Sequence, residues 1–178
     1  MNPAQEEITM PVQRLNHAVL YVRDVTRSVA FYREALGFEP VMELPGAAFL
    51  QAEGSTNDHD LGLFQIGAAA APSPAGRTAV GLYHLAWEVD TLDELERVAA
   101  KLTELGALVG ASDHATTKAL YARDPDGLEF EVSWLVPAAM IDDELLAARA
   151  RILPLDLAAA KERFGARTRG GVGVSIPA

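Results

Sequence analysis

The stretch LNHAVLYVRDVTRSVAFYREALGFEPV, residues 15–41, decides the fold, because LYHLAWEVDTLDELERVAAKLTELGALV, residues 82–109, repeats its plan. Each opens with a β-rich run carrying a histidine at its third position, His17 or His84. Each crosses a polar break into a segment of helical period and stops at a glycine, Gly37 or Gly106. In the first, Val25, Val29, Tyr32 and Leu36 recur at i, i+4, i+7 and i+11, one face of a helix. In the second, Leu92, Leu95, Val98, Leu102 and Leu105 form the stripe, and Thr91 with Glu94 makes a capping box. A glycine just past the last periodic residue is the usual left-handed stop.

Strand candidates follow each helix, near 38–44, 46–52 and 60–66, and again near 107–111, 117–123 and 128–134. Asp124-Pro125-Asp126-Gly127 joins the last two with type I turn chemistry. Each half therefore reads strand–helix–strand–strand–strand, an α+β plan. The expected division is a first βαβββ module at 13–67, a linker at 68–80, a second module at 81–137 and a helical C-terminal extension at 138–178. The small residues and prolines of GAAAAPSPAG, 67–76, mark the linker. In the extension, IDDELLAARARIL reads as helix, Pro154 as the first turn of a further helix, and RTRGGVGVSIPA as loose or extended.

Composition excludes several classes. The 178-residue chain is 49% hydrophobic and 22% charged, enough apolar content for a sizeable core. A net charge of −10 repels phosphate backbones, so no nucleic-acid partner is expected. With no cysteine there is neither disulfide nor thiolate chemistry. MNPAQEEITM is acidic and lacks the apolar stretch of a secretory signal, and no apolar run reaches membrane-spanning length. A cytoplasmic location, away from membranes, is the expectation.

Strand alternation points to a site. Tyr83, Leu85, Trp87 and Val89 fall on one face, and His84, Ala86 and Glu88 on the other. His17 shares its face with Leu15, Val19 and Tyr21. On the last strand Glu129, Glu131 and Ser133 lie opposite Leu128, Phe130 and Val132. A carboxylate in mid-strand is costly unless paired or ligating. Two imidazoles and one carboxylate brought together would make a three-ligand metal site with open positions, suited to non-haem Fe(II) or a similar divalent ion.

LNHAVLYVRD, YHLAWEVD and DPDGLEFEVSW resemble the vicinal oxygen chelate superfamily, over residues 13–137. That superfamily includes glyoxalases, bleomycin- and fosfomycin-resistance proteins and extradiol ring-cleaving dioxygenases. The resemblance implies two βαβββ modules whose sheets curl into a cup around a metal. It implies His17, His84 and Glu131 as ligands, and favours Glu131 over Glu129 by its place four residues after Gly127. DHATTKALYARDPDG, 113–127, is similar to the corresponding part of single-domain catechol 2,3-dioxygenase-like enzymes. By that likeness His114 and Tyr121 face the substrate, and NDHDLGLFQIG, 57–67, supplies His59 as acid–base. The chain departs from the pattern where Ala115 follows His114 and where Glu129 stands two after the turn glycine.

The resemblance thus implies an Fe(II)-dependent extradiol dioxygenase, with Mn(II) or another divalent metal as alternatives. Its substrates would be an aromatic diol and O2, and the protein would be a homo-oligomer. Three other readings compete. A glyoxalase-like isomerase would want an acidic fourth ligand between Leu61 and Gly67, where Gln65 is the one oxygen donor. A fosfomycin-resistance-type transferase would want a cationic pocket. A non-catalytic small-molecule binder would lack the metal set.

Overall fold

The structure, a computed structural model, describes residues 12, 14–76 and 78–171. The end of the RTRGGVGVSIPA stretch, 172–178, lies outside them. The first module comprises β1 (Ala18–Val22), α1 (Val25–Leu36), β2 (Glu39–Leu44), β3 (Ala47–Gln51) and β4 (Leu61–Gln65). The second comprises β5 (Leu85–Glu88), α2 (Leu92–Glu104), β6 (Leu108–Asp113), β7 (Thr117–Arg123) and β8 (Glu129–Leu135). This is the α+β plan of two βαβββ units expected above.

The helix ends follow the local chemistry. Asp24 caps α1, accepting from the Arg27 amide at 3.0 Å, and Gly37 closes it at φ 72°. Thr91 caps α2, accepting from Glu94 N at 3.3 Å. The Glu94 carboxylate turns to Arg97 instead, so half of the capping box is formed. Gly106 follows at φ 65°.

Each module builds its own mixed sheet, ordered β1-β4-β3-β2 and β5-β8-β7-β6. Because a helix crosses over between them, the first and last strands of each module become parallel neighbours. One face of each sheet is packed by its helix. Leu20, Val22, Leu50, Leu61 and Leu63 are buried under α1, and Leu120, Phe130, Val132 and Trp134 under α2. Phe31, Leu36 and Trp87 touch both clusters, so the modules share a seam.

The Asp124–Gly127 turn ties that seam. Gly127 N donates to Asp124 O at 2.9 Å, and Asp124 Oδ1 accepts from the amides of Asp126 and Leu128. Arg23 grips Asp126 through its amide and Nη1, both at 2.9 Å, and donates from Nε to Ala70 O in the linker. Tyr32 OH, in α1, donates to Asp124 Oδ2 at 3.3 Å.

The C-terminal extension folds onto the second module as a 3-10 turn (Ala138–Met140), α3 (Asp143–Ala148), β9 (Leu153–Pro154) and α4 (Leu157–Phe164). Pro154 does not open a helix. It lies in β9, which pairs with β6 as an edge strand, where a missing N–H is tolerated. The helix starts three residues later, at Leu157, because Asp156 caps it, accepting from Ala159 N at 3.0 Å. Lys161 bridges Asp93 and Glu96 of α2. Trp134 Nε1 donates to Asp90 O and Thr168 O, both at 3.2 Å. Among the described residues no helix is long and apolar enough to cross a membrane.

Two expectations follow. Burial pushes the Asp124 carboxyl above its ordinary 3.8, against the pull of the Leu128 and Asp126 amides. Burial, then the Asp124 charge, push the Tyr32 hydroxyl well above 10.0. Both groups keep their protons longer in the folded chain. Their contribution to stability is therefore complete below the unfolded values and is lost as pH rises through the folded ones. As pH rises above the unfolded carboxyl value of about 4, the melting temperature of the wild type should fall relative to that of Asp124→Asn until the folded carboxyl has lost its proton; parallel curves would contradict the assignment. Gly170 has no room for a side chain, since a Cβ there would meet Leu135 O and lie 2.7 Å from Trp134 Nε1. Gly170→Ala should cost about 1–3 kcal/mol, visible as a lowered melting temperature. Gly54→Ala, where a Cβ meets nothing within 4 Å, is the silent control.

Candidate metal and substrate site

The face of the second sheet turned away from α2 carries the site. Parallel pairing of β5 with β8 and antiparallel pairing of β8, β7 and β6 set Ala86, Glu131, Tyr121 and Gly110 side by side. The next row is Glu88, Ser133, Ala119 and Ser112. His84 stands two residues before Ala86, and its Nε2 lies 3.2 Å from Glu131 Oε2. Its Nδ1 is buried with no hydrogen-bond partner. Glu129 instead reaches toward Arg123, at 3.6 Å. This separates the two glutamates that strand alternation left equivalent.

Tyr121 extends the group. Its ring centre is 6.0 Å from that of His84, and its OH is 3.0 Å from His114 Nε2. Ser112 Oγ lies 2.9 Å from the same nitrogen and 3.3 Å from Tyr121 OH. Which of these groups donates depends on the His114 tautomer. Sequence reading missed Ser112. Its spacing to His114 says nothing by itself, but its pairing opposite Ala119 puts it on the same face as Tyr121. The arrangement can hold a polar ligand on the His84–Glu131 pair and pass protons through Tyr121, His114 and Ser112.

His17 and His59 lie elsewhere, together, on the first module. Their ring centres are 4.5 Å apart. His17 Nδ1 lies 2.7 Å from Asn16 Oδ1, and His59 Nδ1 lies 2.9 Å from Asp58 Oδ2. Phe49 presents its ring at 5.0 Å from His59 in an edge contact. The structure therefore brings together His84, Glu131, His114 and Tyr121, and separately His17 and His59. Among the described residues, no three histidine or carboxylate side chains are placed to share an ion. One chain supplies the His84–Glu131 pair and leaves the expected third donor apart.

The register explains the split. Ala86, two after His84, pairs with Glu131, whereas Val19, two after His17, pairs with Gly62. The first module thus repeats the histidine without the acid. Around His17 its outer face is apolar and open. Val19, Tyr21, Met42, Leu44 and Phe64 are exposed there, in rows that cross all four strands. A cavity of about 880 Å³ lies between the linker, Tyr32 and the Asp126–Phe130 stretch, and none of the six residues singled out from the sequence lines it.

Comparison with known proteins identifies the family and the fold. The Glyoxalase/Bleomycin resistance protein/Dioxygenase superfamily profile matches residues 14–132. A catechol-2,3-dioxygenase of Bacillus subtilis (strain 168) is 34% identical over 118 residues, 66% of this chain and 40% of that protein. A manganese-dependent 2,3-dihydroxybiphenyl 1,2-dioxygenase of Geobacillus genomosp. 3 is 28% identical over 70% of this chain and 38% of its own length. The chain thus spans about two fifths of these two relatives. The metallothiol transferase FosB of Lysinibacillus sphaericus (strain C3-41) is 26% identical over 68% of this chain and 82% of its own. Among solved structures, a glyoxylase/bleomycin resistance protein/dioxygenase domain from Frankia sp. EAN1pec superposes with a TM-score of 0.58 at 21% identity, covering 68% of this chain and 91% of that one. With the same two-module fold and a profile match across most of its length, the chain belongs to the glyoxalase/bleomycin resistance protein/dioxygenase superfamily.

Proposed function

We propose that the protein is a metal-dependent extradiol dioxygenase that opens the ring of a catechol-type diol with O2. The observation that carries this reading is the shared face on which the His84–Glu131 pair meets Tyr121 and His114. The dioxygenase relatives support the reaction class, and the manganese-dependent one supports Mn(II) beside Fe(II) as the metal. When bound, such an ion would offer one place to hold a vicinal diol and dioxygen together, which removes much of the entropic barrier. Tyr121 OH, 3.0 Å from His114 Nε2, would then take a hydrogen bond from, or give one to, a diol oxygen, with His114 as the proton reservoir. His59 would serve as the second proton handler, from the first module.

The third ligand, His17, would come from a second copy of the chain. His17 has no carboxylate on the neighbouring strand, where Gly62 stands, whereas His84 faces Glu131. In a two-fold pair each residue of one interface patch meets its counterpart twice, so two complete sites would form. Pairing would also cover the exposed Val19, Tyr21 and Phe64. The substrate would then sit between subunits, in a cup that a single chain leaves open.

Anaerobically Fe(II)- or Mn(II)-loaded protein should take up oxygen with catechol, 3-methylcatechol or dihydroxybiphenyl. His84→Ala and Glu131→Gln should lose the metal in elemental analysis. His114→Gln and Tyr121→Phe should keep it while losing about 10²-fold or more in kcat. Metal-loaded wild type that consumes no oxygen across the panel would overturn the reaction. The pairing has its own test. His17→Ala and Glu131→Gln chains, each inactive alone, should regain about a quarter of wild-type activity when mixed and allowed to exchange, because half the pairs are mixed and each has one intact site. No recovery in a mixture shown to exchange would place the whole site within one chain. The competing reading, a thiol transferase, draws on the FosB relative, 82% of which is covered. It would be supported by thiol consumption without oxygen uptake.

A further inference from the structure

We propose that the C-terminal extension positions His114 and Tyr121 for proton transfer, with Lys118 as the positioning residue and Phe164 as its cover. The inference rests on the proposed role of that pair. His114 sits in a reversal of three residues between β6 and β7, closed by His114 N donating to Thr117 O at 2.9 Å and Thr116 N to His114 O at 2.8 Å. The next residue, Ala115, has φ 64°. A non-glycine residue persists in the left-handed region when its surroundings hold it there.

Lys118 supplies the hold. Its Nζ donates to Asp113 Oδ1 at 2.5 Å and to Ala115 O at 2.8 Å, and the same Asp113 oxygen accepts from Ala115 N at 2.7 Å. Ammonium and carboxylate thus pin the peptide groups on both sides of Ala115. Strand alternation places Lys118 on the opposite face of β7 from Tyr121, so it does not reach the substrate. It is 2% exposed, and because burial disfavours its charge, it depends on the partners that compensate for lost water.

The extension provides one of those partners and covers the site. Phe164 of α4 lays its ring 5.1 Å from Lys118 Nζ, a cation–π contact, and packs against Trp134 at 5.7 Å. Strand β9 of the same extension pairs with β6 at Ser112 and Asp113. Those two residues are the hydroxyl beside His114 and the carboxylate that Lys118 holds. The extension therefore grips the reversal twice, through backbone pairing on one side and through Phe164 and Lys118 on the other. Loosening either grip would let the His114 ring leave Tyr121 while the metal-side pair His84 and Glu131 stayed in place.

The test uses the full chain with Phe164→Leu and Lys118→Met. Imidazole nitrogen NMR reads the tautomer and hydrogen bonding of each histidine, with the His114 signals identified by their loss in His114→Gln. In both variants the His114 signals should shift and show mixed tautomers, while those of His17, His59 and His84 stay in place. With a catechol, kcat should fall about tenfold or more at unchanged KM and metal content. Unchanged His114 signals in a folded variant, or equal movement of all four histidines, would overturn the proposal. If Lys118→Met does not fold, Phe164→Leu carries the test by itself. Absence of oxygen uptake by the wild type would sink the dioxygenase reading and leave the spectroscopic result to decide the positioning role.

Discussion

The arrangement depends on parallel pairing between the first and last strands of a module. A helix between two strands returns the chain in the same direction, so β5 and β8 lie side by side although more than forty residues separate them. Their register then fixes that the residue two before Ala86 meets Glu131. A carboxylate on a half-buried strand is tolerated because an imidazole faces it. Slipping β5 by one residue against β8 would turn His84 to the opposite face from Glu131 and abolish the pair.

The same pairing in the first module gives a different result. Its register brings Gly62 to the place that Glu131 holds in the second. The two modules have kept the frame and diverged in the donors. One keeps a histidine among exposed apolar residues beside a second histidine, and the other keeps a histidine–carboxylate pair beside two further polar residues. Neither face alone has the three donors that the sequence led one to expect. Under the proposed pairing, a second copy would bring the His17 face of one chain to the His84–Glu131 pair of the other.

Most of the fold was legible because it rests on short-range rules. The stripes Val25–Leu36 and Leu92–Leu105, the stops at Gly37 and Gly106 and the alternation around Ala86 all depend on neighbours within a few residues, and the structure follows them. Pro154 was misjudged because proline suits both a first helical turn and an edge strand, and Asp156, two residues on, is the stronger cap. Ser112 and Lys118 were invisible for a different reason. Their importance comes from strand register and from a helix that arrives forty residues later in sequence. The placement of His17 was beyond sequence reading as well, since an internal repeat fixes positions within a module and not how modules or copies sit against each other.

The two tryptophans stand at different joints. Trp87 lies at the seam shared by the modules, against Phe38, whereas Trp134 is clasped between the carbonyls of Asp90 and Thr168. An indole N–H released from carbonyl oxygens into water changes its surroundings in polarity and mobility. Trp87 Nε1 is instead buried without a hydrogen-bond partner among the described residues, so in intrinsic fluorescence one emitter would respond to water entering the seam and the other to the tail peeling away.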